Sequence, residues 1–224
     1  MKKNTMMRIA SLLLVCVLAT TCGISGTFAK YVTADNGSDF ARVAQFGVVV
    51  EAKSFDMFTD MYKTDDSTFS GVYSVDSNNG DDVMAPGTSG SFAEIKITGT
   101  PEVAVHVMIA ATVVISDNWV DGAGDYYCPI VVTVGTTAID GLAYGSAAEF
   151  AAAIEAAIEG KSAKYDPNFD LASAYDNTNL DLSWSWAFST GAVNDIRDTA
   201  LGDKAVTEDL TLSIGVEITV EQIN

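Results

Sequence analysis

Apolar and polar residues alternate with a period of two along most of this chain. The clearest case lies near the C-terminus, where apolar side chains take the even positions from Leu210 to Val220 and polar residues or glycine take the odd ones. Residues 180–188 alternate in the same way, with Trp184 and Trp186 on the apolar side. Successive side chains of a strand point to opposite faces, so this pattern predicts strands with one buried and one wet face.

Four more segments have the pattern of strands, namely residues 43–52, 91–98, 103–116 and 127–134. In the segment 103–116 both faces are mostly apolar, which predicts a central strand. Gly-containing turn signals separate the strands at Asn79-Gly80, Asp121-Gly122 and Asp140-Gly141.

A single stretch has a helical period instead. Ser146 and Glu149 form a capping box, apolar residues then recur at Phe150, Ile154 and Ile158, and Gly160 ends the pattern. Many strands with one short inserted helix predict an all-β, antiparallel β-sandwich. Because no long linker divides residues 43–224, we expect them to form one domain.

The first 29 residues have the order of a secretory signal peptide. A basic start precedes an apolar run over residues 9–18, and Thr27 and Ala29 then fit the −3 and −1 positions of a cleavage site between Ala29 and Lys30. The prediction is a secreted protein that meets the membrane only before cleavage. The alternatives are an uncleaved anchor over residues 9–28 and a lipoprotein cut before Cys22.

Charge and composition exclude two broad classes of protein. With 12 Lys and Arg against 30 Asp and Glu, the chain has a formal net charge of −18 and no basic surface for nucleic acid. Disorder of the whole chain is excluded because 48% of residues are hydrophobic and the mean hydropathy is +0.21.

The residues that carry most enzyme chemistry are scarce. His106 is the only histidine, which excludes a two-histidine zinc site, and its place in a strand predicts a partly buried side chain rather than a ligand or base. Cys128 is the one cysteine beyond the signal peptide, so we expect a buried thiol and no internal disulfide. We assign no catalytic residue and expect no enzymatic activity.

Two acidic segments are candidate cation sites. Asp76, Asn78 and Asp82 match the start of a calcium loop, but Gly87 stands where the bidentate Glu belongs, so a solvated acidic turn is the alternative. Asp195 and Asp198 are predicted to cap a short helix or to make loop hydrogen bonds rather than to bind a cation. We therefore expect no cofactor, with calcium as the one alternative.

Several segments in their order along the chain carry a resemblance. Residues 26–32 (GTFAKYV) are similar to the end of signal peptides that a SipW-type signal peptidase cleaves. Residues 40–50, 85–92, 103–111 and 212–224 resemble, in order, the first strand, a Pro-Gly turn, the following strand and the closing strand of the TasA/camelysin family. The segment of about 117–180 does not align with that family.

The resemblance implies a jelly-roll sandwich that is secreted to the cell surface or extracellular matrix and polymerises with copies of itself into biofilm fibres. A SipW-type peptidase and other matrix components are further implied partners. The arm of residues 30–42 then serves as a donor strand for the next copy, with Tyr31, Val32 and Phe40 of the arm and the adjacent Val43 as the apolar side chains. An extended arm of this length reaches ~40 Å.

A disordered N-terminal tail is the alternative for residues 30–42. Two other functions of the whole chain also remain open. The camelysin name implies a metalloprotease, but this sequence lacks a His-Glu-x-x-His motif. A monomeric surface adhesin or binding module is the second alternative, because sandwich folds carry many functions.

Overall fold

The computed structural model describes residues 42–52, 57–65, 67–69, 71–92, 95–175 and 180–224. Contacts divide the chain into a unit of residues 1–45, of which only 42–45 are described, and a unit of residues 46–224. Residues 42–45 belong to no helix or strand.

The described part of the second unit contains eleven strands, and every pair of them is antiparallel. The strands are β1 (Val49–Ala52), β2 (Met61–Lys63), β3 (Tyr73–Asp76), β4 (Ser89–Phe92), β5 (Ile95–Thr98), β6 (Val105–Ile115), β7 (Ile130–Val134), β8 (Thr137–Asp140), β9 (Ala163–Tyr165), β10 (Leu182–Trp186) and β11 (Leu212–Gln222).

These strands form four sheets in the described residues. One has the order β4-β10-β7-β8, one has the order β11-β6-β9, and two are the pairs β1-β5 and β2-β3. The predicted all-β class with antiparallel sheets is therefore confirmed. The sheets are open as described, so each has edge strands.

The prediction of a single helix is wrong in number. The helices are α1 (Ala147–Glu159), α2 (Leu171–Ala174) and α3 (Ala192–Lys204), and short 3-10 turns lie at Ser67–Phe69 and Gly141–Ala143. Helix α3 is as long as α1, at 13 residues each. The sequence of α3 lacks the usual pattern of an amphipathic helix, because Val193 and Ile196 are exposed and Asp198 is buried.

Helix α1 is the predicted helix, and Ser146 caps it as predicted, but Glu149 bonds to the N–H of Gly145 rather than to that of Ser146. Ser146 Oγ accepts a hydrogen bond from the N–H of Glu149 at 3.2 Å, and Glu149 Oε2 accepts one from the N–H of Gly145 at 2.9 Å. The apolar positions Phe150, Ile154 and Ile158 are all buried, as their four-residue spacing requires.

Strand β10, an inner strand of the four-stranded sheet, supplies two tryptophans to the core. Strand β10 pairs with β4 on one side and β7 on the other, and its inward residues Leu182, Trp184 and Trp186 are buried. The alternation over residues 180–188 thus predicted both the strand and its buried face. The exposed side chain of Phe188 shows that the strand ends earlier than the pattern does.

Strand β6 is central only at its start. It lies between β11 and β9, but β9 pairs with it only from Val105 to Val107. Beyond that point helix α1 contacts the strand. The second apolar face noted in the sequence is half-buried at Met108 and exposed at Val114.

Cys128 is buried, as predicted, with 1% of its surface exposed. Burial raises the pKa of its thiol to about 12, and this outweighs hydrogen bonds that favour the thiolate. A neutral, inaccessible thiol has no role as a nucleophile or metal ligand.

We therefore expect Cys128 to resist alkylation in the folded protein. Iodoacetamide at pH 8 should leave the mature chain unmodified for hours, and mass spectrometry should find one added group after unfolding in guanidinium chloride. Equal labelling rates in the folded and unfolded protein would contradict the buried position.

Candidate functional site

The longest strand pair in the described structure joins β11 to β6. Eleven residue pairs run in an unbroken register from Leu212 opposite Ile115 to Gln222 opposite Val105. The sequence predicted this strand and its alternation. The even residues from Ile214 to Val220 pack against the core, yet each remains half-buried, because β11 is an edge strand.

The hydrogen bonds at the two ends of this pair fix which backbone groups point outward. Ser116 N–H donates to the carbonyl of Thr211, and Ile223 N–H donates to the carbonyl of Ala104, both at 3.0 Å. The backbone N–H and C=O groups of the odd residues of β11 therefore bond to those of the even residues of β6. The N–H and C=O groups that point to the outer edge belong to the even residues, and in the middle of the strand these are Ile214, Val216, Ile218 and Val220.

No described strand pairs with this outer edge. The exposed odd positions carry Glu217 and Glu221, and charged side chains are a common protection of free edges. The open edge of β11 is thus a surface to which an extended segment can add as a further strand.

An apolar cavity lies at the start of β11. Its volume is about 440 Å³, and its walls include Phe58, Met84, Pro86, Trp119, Trp186 and Leu201. The rings of Trp119 and Trp186 lie 5.8 Å apart. The indole N–H of Trp186 is buried and has no hydrogen-bond acceptor among the described residues.

A polar network supports one wall of the cavity. Asp198 is only 6% exposed, and its Oδ1 accepts a hydrogen bond from Tyr127 Oη at 2.7 Å. The guanidinium of Arg197 lies 3.9 Å from the centre of the Tyr127 ring, and its Nε donates to Asp121 Oδ2 at 2.9 Å. The predicted cap or loop role of Asp198 is wrong, because this residue lies inside α3 and its carboxylate is a buried hydrogen-bond acceptor.

The pKa values of this network follow from its contacts. Burial, and then the hydrogen bond to Asp198, raises the pKa of Tyr127 well above its usual range. For Asp121, burial alone would raise the carboxyl pKa, but the N–H groups of Asp125 and Ala123 and the Arg197 guanidinium outweigh it and lower the pKa. The contacts of the network therefore favour the neutral phenol of Tyr127 and the ionised carboxylate of Asp121.

The residues predicted from the arm lie mostly outside the described part. Ala29, Lys30, Tyr31, Val32 and Phe40 are not among the described residues. Val43 is described, and 55% of its surface is exposed.

The acidic turn is organised by residues other than the predicted ones. Asp76 ends β3, and the hydrogen bonds of the turn run from Ser77 Oγ to Asn79 Oδ1 and from Asn79 Nδ2 to Asp81 Oδ2. Asn78 is exposed, and Asp82 lines the cavity. Within the described ranges, no group of three or more His, Cys, Asp or Glu residues is placed to hold a metal ion.

His106 occupies the position that the sequence predicted. It lies on β6 opposite Glu221 of β11, with Nδ1 3.9 Å from Glu221 Oε1 and 26% of its side chain exposed. Asp195 lies in the first turn of α3, where its Oδ2 accepts a hydrogen bond from Ser189 Oγ at 3.1 Å. Among the described residues, neither belongs to a group of three or more His, Cys, Asp or Glu side chains that could hold a metal ion.

Comparison with known proteins gives no relative for this chain. No protein-family model, no curated protein and no solved structure matches it. Among the described residues, no helix is both long enough and apolar enough to cross a membrane.

Proposed function

We propose that this chain is a secreted structural subunit of extracellular filaments, in a biofilm matrix or on the cell surface. In this proposal the arm of residues 30–42 leaves its own copy and adds as a strand to the next one, and the chain is not an enzyme. The observation that carries the proposal is the open outer edge of β11, which offers the backbone groups of four consecutive outward residues.

The dimensions of the arm and the edge agree. Eleven residues of β11 span ~36 Å, and an extended arm of 13 residues spans ~40 Å. Each new ladder hydrogen bond contributes about 0.5–1.5 kcal/mol net. Burial of Tyr31, Val32, Phe40 and Val43 contributes roughly 1.5–3 kcal/mol for each side chain.

The geometry of such a contact generates a polymer. The arm and the β11 edge are different surfaces, so each copy donates to one neighbour and accepts from another, and this head-to-tail contact does not close. The added strand would extend the β11-β6-β9 sheet of a jelly-roll-like sandwich. The resemblance to the TasA/camelysin family and to SipW-type signal peptides supports the same proposal from the sequence side.

The test compares two chains by negative-stain electron microscopy. Residues 30–224 are expected to form filaments, and a chain that starts at Gln45 is expected to remain dispersed, because it lacks the arm. Single particles from both chains at high concentration would contradict the proposal.

A matched pair of proline substitutions tests the edge itself. Ile218→Pro removes an outward N–H of β11, so we expect a folded protein with at least a tenfold loss of filament elongation rate. Thr219→Pro removes an N–H that bonds to β6, so we expect loss of stability instead, by circular dichroism. Normal elongation by Ile218→Pro would exclude this edge as the acceptor.

One observation favours a second function, a monomeric binding module. The cavity beside Trp119 and Trp186 lies within the usual size range of ligand sites, and the Trp186 N–H lacks an acceptor that a ligand carbonyl would supply. Tryptophan fluorescence with N-phenyl-1-naphthylamine tests this function. Saturable binding that Gly202→Leu abolishes would support it, since Gly202 lines the cavity with open space beside it.

A further inference from the structure

Strand β6 has a second edge, on the side away from β11. Strand β9 covers this edge only from Val105 to Val107. Further along, the N–H groups of Ile109, Ala111 and Val113 point away from β11 because they belong to the odd residues of β6. Without another partner these three donors would form a free edge like that of β11.

Side chains of α1 and of Ser162, which follows it, accept hydrogen bonds from these three N–H groups. The hydrogen bonds run from Ile109 N–H to Ser162 Oγ at 2.9 Å, from Ala111 N–H to Glu159 Oε1 at 3.4 Å and from Val113 N–H to Glu155 Oε1 at 2.8 Å. Ser162 Oγ also donates to the carbonyl of Ile109 at 3.3 Å.

The spacing of side chains along one face of a helix is close to the spacing of outward amides along a strand, so side chains of a helix can bond to these amides in place of a neighbouring strand. Four residues of α-helix rise ~6.0 Å, and two residues of β-strand advance ~6.6 Å. Glu155 and Glu159 are four residues apart, and the amides they bind, Val113 and Ala111, are two residues apart. The carboxylates therefore follow the ladder of the strand from one outward amide to the next.

The two sides of the β11-β6 pair consequently differ in their availability to a further strand. The edge of β11 is open among the described residues, whereas the edge of β6 is occupied by acceptors. An incoming strand would have to displace Glu155, Glu159 and Ser162 before it bonded to β6. Free edges in general invite pairing with another chain, and covering them prevents it.

We propose that Glu155, Glu159 and Ser162 form an edge guard that closes β6 to a second copy of this chain and so confines strand addition to β11. The guard closes the part of β6 that β9 leaves uncovered, which keeps a head-to-tail filament from pairing laterally or branching along this strand. This inference rests on the proposed function, because it concerns strand addition between copies.

The test opens the guard and keeps a charge-matched control. The open variant carries Glu155→Ala, Glu159→Ala and Ser162→Ala, and the control carries Glu155→Gln and Glu159→Gln, which lose the same two charges but keep a side-chain carbonyl acceptor. Both are produced from the full-length sequence. Hydrogen exchange reports the amides, and sedimentation velocity with electron microscopy reports assembly.

In the open variant we expect the amides of Ile109, Ala111 and Val113 to exchange about tenfold faster, and we expect laterally paired or branched assemblies. The control should resemble the wild type in both measurements. Faster exchange with unchanged assembly would overturn the proposal, and so would wild-type amides that exchange as fast as those of exposed loops.

Two further results keep the test decisive. If the open variant fails to fold by circular dichroism, Glu159→Ala alone and the exchange rates of the wild type decide the question. The open variant could pair laterally under conditions in which residues 30–224 form no filaments. That result would support the edge guard and refute the proposed function.

Discussion

Replacement of Trp184 with alanine is expected to lower the free energy of unfolding by about 3–5 kcal/mol. The side chain is 1% exposed and lies in β10, at the centre of the four-stranded sheet. Its ring lies 5.3 Å from Phe58 and 6.2 Å from Tyr62 between centroids. Its Nε1–H donates to the carbonyl of Met57 at 2.8 Å, so the substitution also leaves a buried acceptor unpaired.

Urea unfolding followed by circular dichroism measures this loss. Phe188→Ala is the matched control, because Phe188 is an aromatic residue with 78% of its surface exposed, and its removal should change stability by less than about 0.5 kcal/mol. Similar losses for the two variants would contradict the placement of Trp184 in the core.

Gly90→Ala is expected to destabilise the protein by about 1–3 kcal/mol through steric conflict. Gly90 pairs with Trp184 across β4 and β10, and the backbone of Met57 crosses directly over it. A Cβ at this position would collide with the carbonyl oxygen of Met57 and with Nε1 of Trp184, which are the two ends of the hydrogen bond described above.

Gly122→Ala provides the control for this substitution. A Cβ on Gly122 meets open space, and its backbone lies outside the left-handed region, so we expect a change within about 0.5 kcal/mol. The difference should appear as a fall in Tm of roughly 2–12 °C for Gly90→Ala alone. An unchanged Tm for Gly90→Ala would show that Met57 does not cross β4 in this way.

Period-two alternation predicted the longer strands because it depends only on which face is buried, but it gave no sign of the short strands β2, β3, β8 and β9. It located β10 and β11 and the apolar face of each, and the capping box located α1. The pattern of apolar and polar residues did not reveal α3, because Asp198 is buried in this helix. Asp198 is stabilised there by Tyr127, a residue 71 positions away in the chain. A local pattern contains no sign of such a distant partner.

The candidate surfaces were predictable only in part. The sequence predicted a long, two-faced β11, but which edge remains free depends on pairing between distant strands. Glu155 and Glu159 have the sequence of a solvent-facing helix surface, and their role as acceptors for β6 appears only when the helix is packed against that strand. The cavity likewise combines residues from separate segments, from Phe58 to Leu212.

The most direct test of strand exchange is a high-resolution cryo-electron microscopy map of the filament formed by residues 30–224. We expect continuous density for residues 30–42 of one copy, hydrogen-bonded along the outer edge of β11 in the next copy. A map in which these residues pack on their own copy, with the β11 edge of the neighbour unpaired, would contradict it.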